Sequence, residues 1–185
     1  MITTIKKIGI VALALVIAWG SATVGYAADS WVTTNHTVTV TVPQVLSISS
    51  DAGSFTLPFQ GYAKAGDESW AQTVNYTVES NNMSQADGSP AINANLDFAY
   101  DRIDLKADMG SYTKTSGNTS LVEAQSGFVT IGTSNVALAN KSNTDAGTDG
   151  KLLNGTFPVT YKAVATSDVP AGDQTHILSI TLTTI

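Results

Sequence analysis

Cysteine is absent from this sequence of 185 residues, and histidine occurs only twice. A chain without cysteine must be held together by its core and its backbone hydrogen bonds, since it cannot form the disulfides on which many small exported domains depend. The same absence excludes cysteine redox chemistry and thiolate metal sites. His36 and His176 lie beside strand-like runs, and no nucleophile-elbow motif accompanies them. Nothing in the sequence therefore supplies a hydrolase triad, and we predict that both histidines lie on strand surfaces.

Basic residues are also scarce. The 9 lysines and arginines stand against 15 aspartates and glutamates, which gives a formal net charge of -6. Nucleic acids and anionic membrane surfaces require a positive patch, so both are poor candidates as partners, and we predict no nucleic-acid partner. Four carboxylates are close enough in sequence to suggest a glycosidase pair, but in an acidic chain we expect them to be solvated: Asp97, Asp101, Asp104 and Asp108. We therefore predict that the protein is not an enzyme.

Long apolar runs are missing, with one exception near the N-terminus. Lys6 and Lys7 precede an uncharged apolar run over residues 8–19, and small residues follow it. This order is typical of a secretory signal peptide, and cleavage after Ala27 predicts a leader of residues 1–27. The alternative is an uncleaved anchor, but the run is shorter than the about 20 residues that span a bilayer. We expect a secreted, cell-surface or periplasmic protein that does not span a membrane after cleavage.

Threonine and valine are abundant, and apolar residues alternate with polar ones. β-Branched residues favour strands over helices, and a period of two marks strands with one buried face. The alternating apolar residues are Val38, Val40, Val42; Trp70, Val74, Tyr76, Val78; Ile92, Leu96, Phe98, Tyr100; Phe157, Val159, Tyr161, Ala163, Ala165; and Leu178, Ile180, Leu182. Turn residues separate these runs, for example at Asp51-Ala52-Gly53 and Asn154-Gly155. Because helical periodicity is absent, the sequence predicts an all-β fold, a single antiparallel β-sandwich of residues 44–185.

A polar, glycine-containing segment, residues 141–150, is predicted to be a surface loop. Its Asn143, Asp145 and Asp149 offer the oxygen ligands that Ca²⁺ prefers. The spacing does not match an EF-hand, which needs a glutamate at a fixed offset. A solvated loop is the favoured interpretation, and calcium is the one cofactor that the sequence leaves open.

Two tryptophans lie outside the leader, Trp31 and Trp70. Exposed aromatic rings on a β-sandwich can form a platform for a sugar ring. Trp70 shares its parity with Val74 and Tyr76, however, so we predict that it packs in the core.

The segment that follows the leader, residues 28–43, is predicted to be an alternating strand. Its apolar residues are Val38, Val40 and Val42, and Pro43 separates it from the next strand, since proline is found at strand edges and breaks. Such a segment can pair within its own domain or add to the sheet of another molecule, where backbone hydrogen bonds give affinity and alternate side chains fill pockets. Residues 28–43 are therefore a candidate donor strand.

The C-terminal residues form a second alternating strand, which follows a proline-glycine turn. Gly172 is the fourteenth residue from the end, and Leu178, Ile180 and Leu182 alternate after it. This pattern resembles the closing turn and last strand of secreted fimbrial subunits, both chaperone–usher pilins and spore-coat-protein-U-like domains. The chain departs from the pattern at Thr184, where those pilins have an aromatic residue, and it lacks their cysteine pair.

The resemblance implies an immunoglobulin-like sandwich whose N-terminal segment donates a strand to the next subunit. The expected partners are further copies of the chain, in a homopolymer, and an assembly chaperone. The leading functional hypothesis is a structural subunit of an extracellular filament, pilus or surface layer. The alternative is a secreted β-sandwich binding module, a carbohydrate- or calcium-binding adhesin.

Overall fold

The structure is a computed structural model that describes residues 36–83, 89–117, 120–142 and 151–183. The predicted signal peptide, residues 1–27, and Trp31 lie outside these ranges. The chain divides into two units, Met1–Pro43 and Gln44–Ile185. Among the described residues, no helix is long and apolar enough to cross a membrane.

The described part of unit Gln44–Ile185 contains ten strands. They are β1 (Leu46–Ser50), β2 (Gln72–Ser80), β3 (Pro90–Leu96), β4 (Ile103–Met109), β5 (Thr113–Ser116), β6 (Ser120–Glu123), β7 (Val129–Ile131), β8 (Val136–Ser142), β9 (Leu153–Ala165) and β10 (Leu178–Leu182). Every strand pairing is antiparallel.

The strands form two sheets. Sheet A has the order β1-β2-β9-β4-β7, with β5 also paired to β9, and sheet B has the order β10-β3-β8-β6. Neighbours in the sheets are mostly distant in sequence, so the chain crosses repeatedly between the sheets. The prediction of an all-β antiparallel sandwich is confirmed.

One apolar core lies between the sheets. In β9, burial alternates along the whole strand, and Phe157 and Val159 are fully buried. Sheet B supplies Ile92 and Ala94 from the opposite side. These alternating residues form strands because each strand buries one face, and burying apolar side chains is the main favourable term in folding.

The core also encloses a pair of tyrosines. The hydroxyls of Tyr76 and Tyr161 are 2.8 Å apart and hydrogen-bonded to each other, and Phe55 stacks on the Tyr161 ring with centroids 4.9 Å apart. Burial raises the pKa of both hydroxyls above that of a free tyrosine. In this one hydrogen bond, one hydroxyl donates and the other accepts, so each buried hydroxyl has a partner and the cost of burying it is reduced.

The predicted turn at Asn154-Gly155 is wrong, because both residues lie inside β9. A side chain at Gly155 would collide with the Thr113 carbonyl oxygen, and it would lie 2.6 Å from the Tyr112 ring. Glycine is needed here because the backbone of β5 approaches β9 closely, and strand glycines often mark such close approaches.

The prediction that Trp70 packs in the core is also wrong, because its side chain is 66% exposed. Glu68 bridges Val164, whereas Gln72 pairs with Tyr161. The chain therefore uses one more residue than β9 between these two pairs, which is a β-bulge. The extra residue reverses the parity, so Ser69 is buried and Trp70 faces outward.

Candidate functional site

The C-terminal strand β10 presents an open edge with an apolar inner face. Leu182 is buried, and Leu178 and Ile180 are half-buried against the core. The amide of Asp97 donates to the Ile177 carbonyl oxygen at 3.0 Å, so odd-numbered residues of this segment face β3. In an antiparallel pair the backbone groups of alternate residues point to opposite sides. The N–H and C=O groups of Leu178 and Ile180 therefore point away from β3, on the side where sheet B ends.

Strand β1 presents a similar edge on sheet A. The Asp51 amide donates to the Asn75 carbonyl oxygen at 3.0 Å, so the backbone groups of Leu46, Ile48 and Ser50 point away from β2. β1 is the last strand on that side of sheet A, and its Ile48 packs half-buried against the core. β1 and β10 approach each other within 8 Å, measured between Cα atoms. The described chain therefore has two neighbouring open edges, both backed by apolar side chains.

The described residues of the candidate donor strand belong to no strand. Residues 36–45 carry no regular secondary structure. The side chains of Val38, Val40 and Val42 are 65%, 79% and 75% exposed. Alternation of apolar and polar residues normally marks a strand with one buried face, but none of these three valines is buried.

Gly172 and Asp97 organise the entry to β10. Gly172 has a φ of +141°, a backbone conformation that favours glycine. Asp97 Oδ1 accepts hydrogen bonds from the amides of Phe98 at 2.8 Å and Ile177 at 2.9 Å. Burial acts to raise the pKa of the Asp97 carboxyl, but these two amides and the nearby His176 outweigh burial and hold the pKa below its usual value. The carboxylate thereby fixes the first residues of the terminal strand.

Neither histidine lies on a strand surface, contrary to the prediction. His36 is exposed outside any strand, and His176 is half-buried in the loop before β10. His176 Nδ1 is 3.6 Å from Asp97 Oδ1, and its ring packs edge-on against Tyr100, with centroids 4.4 Å apart. The imidazole is thus held by a carboxylate and an aromatic ring.

The four clustered carboxylates have separate environments. Asp97 and Asp101 lie in the loop between β3 and β4, where Asp101 contacts Arg102 at 3.7 Å. Asp104 and Asp108 alternate with buried residues of β4 and therefore face outward from sheet A.

The proposed calcium ligands Asn143, Asp145 and Asp149 lie outside the described residues. Within the described ranges, no group of three or more histidine, aspartate or glutamate side chains is close enough to hold a metal ion. The first two residues of the predicted loop over residues 141–150 belong to β8 instead, and residues 143–150 lie outside the described ranges.

Lys141 is a core residue that the sequence did not reveal. Its side chain is only 2% exposed, and its Nζ has no hydrogen-bond partner in the described part of the chain. Burial lowers the pKa of this ammonium group. The polar neighbours of Lys141 in sequence suggested a loop, whereas its pairing with Leu121 of β6 places it on the inner face of sheet B.

No family model, curated protein or solved structure matches the chain. The function is therefore argued from the edges and side chains described above.

Proposed function

We propose that the protein is a non-enzymatic structural subunit of an extracellular filament, pilus or surface layer. Residues 28–43 of one copy would add as a strand to an open sheet edge of the next copy. The observation that carries the proposal is the exposure of Val38, Val40 and Val42 on residues that belong to no strand. The proposal includes export through the leader of residues 1–27, and an assembly chaperone as a transient partner.

The valines and the edge of β10 have the same spacing. Val38, Val40 and Val42 are three apolar residues at alternate positions, as are Leu178, Ile180 and Leu182. Directly opposed residues in paired strands lie on the same face of a sheet. The donated valines would therefore lie beside the half-buried apolar residues of β10 and cover the core from that side.

The charge of the segment also supports strand addition. Residues 37–50, which include the valines and β1, contain no charged side chain. Burying this segment against an apolar face would therefore carry none of the large cost of desolvating a charge. The open backbone groups of the edge would supply the hydrogen bonds.

Two single substitutions test the proposal in the mature chain. Val40→Asp should abolish assembly, because it would bury an unpaired carboxylate in the donated strand. Thr39→Asp is the matched control. Position 39 is next to position 40 and would face solvent in the donated strand, so assembly should persist. Electron microscopy and sedimentation velocity measure the polymers directly.

A deletion gives a second and independent test. Removing residues 28–42 should leave monomers, and a peptide containing residues 36–43 should bind them and raise their melting temperature. The proposal is wrong if the deleted chain still polymerises, or if Val40→Asp assembles as well as Thr39→Asp.

A binding module is the second candidate function, and the exposed Trp70 ring favours it. Its calcium form is tested by melting the protein with and without Ca²⁺, since a ligand that binds only the native state raises the melting temperature. An unchanged melting temperature would remove calcium from consideration.

A further inference from the structure

The connection between β1 and β2 is much longer than its ends require. The two strands are adjacent and antiparallel in sheet A, and such neighbours are usually joined by about 2–5 residues. Here residues 51–71 join them. Long connections in compact domains are commonly functional.

The connection has a fixed structure at both ends. Its first half enters the core, where Phe55 stacks on a ring of sheet A. Its second half pairs with the end of β9: the amide of Gly66 donates to Ala165 at 2.8 Å, and that of Ser69 donates to Ala163 at 2.9 Å. The segment between these two attachments is therefore held in place.

Residues 59–68 of the connection line a surface cavity of about 240 Å³ that is open to solvent. Its lining residues are Phe59, Gln60, Tyr62, Ala63, Asp67 and Glu68. The lining combines two aromatic rings with an amide and two carboxylates. All six residues belong to the β1–β2 connection, so this cavity is the feature that the extra length creates.

The Tyr62 ring is held in one orientation although it is 64% exposed. Its hydroxyl donates to Asp168 Oδ2 at 2.8 Å. The next residue is tied to the same loop, because the amide of Val169 donates to the Ala63 carbonyl oxygen at 3.0 Å. The ring is thus a preorganised surface rather than a free side chain, which reduces the entropy lost on binding.

The polar groups of the cavity keep spare acceptor capacity. Asp67 Oδ2 accepts one hydrogen bond, from the Lys64 amide at 2.8 Å, and Glu68 Oε1 accepts one from Lys162 at 2.7 Å. An ionised carboxylate has about four acceptor positions. Both groups therefore retain positions for the hydroxyls of a ligand. The Glu68 charge is compensated by its ion pair with Lys162, so it is the Asp67 carboxylate, with no ion pair among the described residues, whose charge opposes the binding of an anion.

We propose that this cavity binds a neutral saccharide unit. The apolar face of a sugar ring would stack on Tyr62, and its hydroxyls would donate to Asp67 and Glu68. This site is independent of strand addition, since it lies in the β1–β2 connection and uses none of the proposed donor residues.

Saturation-transfer difference NMR on the mature chain tests the site, and it works for both monomers and polymers. The probes are the methyl glycosides of glucose, galactose, mannose and N-acetylglucosamine, with methyl glucuronide as the anionic counterpart. We expect saturation transfer to at least one neutral probe and none to the glucuronide.

Substitutions then locate the site. Tyr62→Ala should weaken binding by about tenfold or more, the scale of losing the apolar contact of one aromatic ring. Tyr62→Phe keeps the ring but loses its hydrogen bond to Asp168, so it should weaken binding less. The matched control is Phe98→Ala, which removes another exposed aromatic ring, 69% exposed and outside the cavity. Gln60→Ala is a second variant in an exposed lining residue, and it should weaken binding as well.

The proposal is overturned if no neutral probe shows saturation transfer, or if the glucuronide binds equally well. It is also overturned if folded Tyr62→Ala and Gln60→Ala both bind like the wild type, or if Phe98→Ala loses binding to the same extent. None of these results bears on filament formation, so the two proposals succeed or fail separately.

Discussion

Gly155 offers a sharp test of the packing between β5 and β9. Its neighbours include the Thr113 backbone carbonyl and the Tyr112 ring, which lies 2.6 Å from the position of an added methyl group. A backbone carbonyl cannot move aside as a flexible side chain can. Gly155→Ala must therefore displace β5 or bend β9.

The size of the effect follows from this geometry. Overpacking a closely packed region costs about 1–3 kcal/mol, and the backbone contact places Gly155→Ala in the upper part of that range. For a chain of this size, about 1 kcal/mol corresponds to about 2–4 °C in melting temperature. We expect a melting temperature lower by roughly 5–10 °C.

Thermal unfolding followed by circular dichroism measures this change. Gly53→Ala is the matched control, because an added methyl group there contacts nothing within 4 Å, and it should leave the melting temperature nearly unchanged. Hydrogen exchange should also show faster exchange of the β5 amides in Gly155→Ala. A Gly155→Ala protein that melts with the wild type would refute the close-approach explanation.

Three further predictions concern titratable and polar groups. Tyr161→Phe leaves the buried hydroxyl of Tyr76 without its partner and should destabilise the protein by about 1–3 kcal/mol in urea unfolding, whereas the double Phe variant should be closer to the wild type. Burial raises the pKa values of Tyr76 and Tyr161, and it raises that of Tyr112 to about 12. These tyrosines therefore ionise at lower pH in the unfolded chain than in the folded protein, and the free energy of unfolding should fall above about pH 10. A free energy of unfolding that does not fall there would contradict this prediction. The pKa of Asp97 is held below its usual value, so its contribution is lost in acid, and Asp97→Asn should show a smaller drop in melting temperature than the wild type between neutral pH and about pH 3. An equal drop would contradict the role assigned to this carboxylate.

The sequence predicted the strands whose alternation is uninterrupted. β2, β9 and β10 each bury one face, so the polar-apolar period reports both strand and orientation. The turn predicted at Asn154-Gly155 was wrong because glycine, which favours turns, also allows two strands to approach closely. The prediction that Trp70 packs in the core was wrong because a bulge reverses the alternation of buried and exposed residues. The bulge depends on pairing with β9, which no local sequence pattern reveals.

The shorter strands of sheet B were harder to predict for a related reason. Register shifts interrupt the pairing of β3 with β8, and the adjacent residues Leu138 and Ala139 are both buried, so a period of two is lost. The open edges of β1 and β10 and the cavity in the β1–β2 connection likewise arise from contacts between distant segments. The alternating residues of β10 were visible in the sequence, but the position of β1 and β10 at the ends of the sheets was not.

The central position of β9 has a consequence for how the protein matures. β9 pairs with β2, β4 and β5, yet it is the ninth of the ten described strands in chain order. During synthesis, β2, β4 and β5 would wait for this partner, which leaves the ribosome after them. Contacts between such distant segments also slow folding. Sheet A can therefore be completed only after β9 has been synthesised. If the protein is exported as we propose, this order would keep the chain unfolded during its passage through a translocation channel.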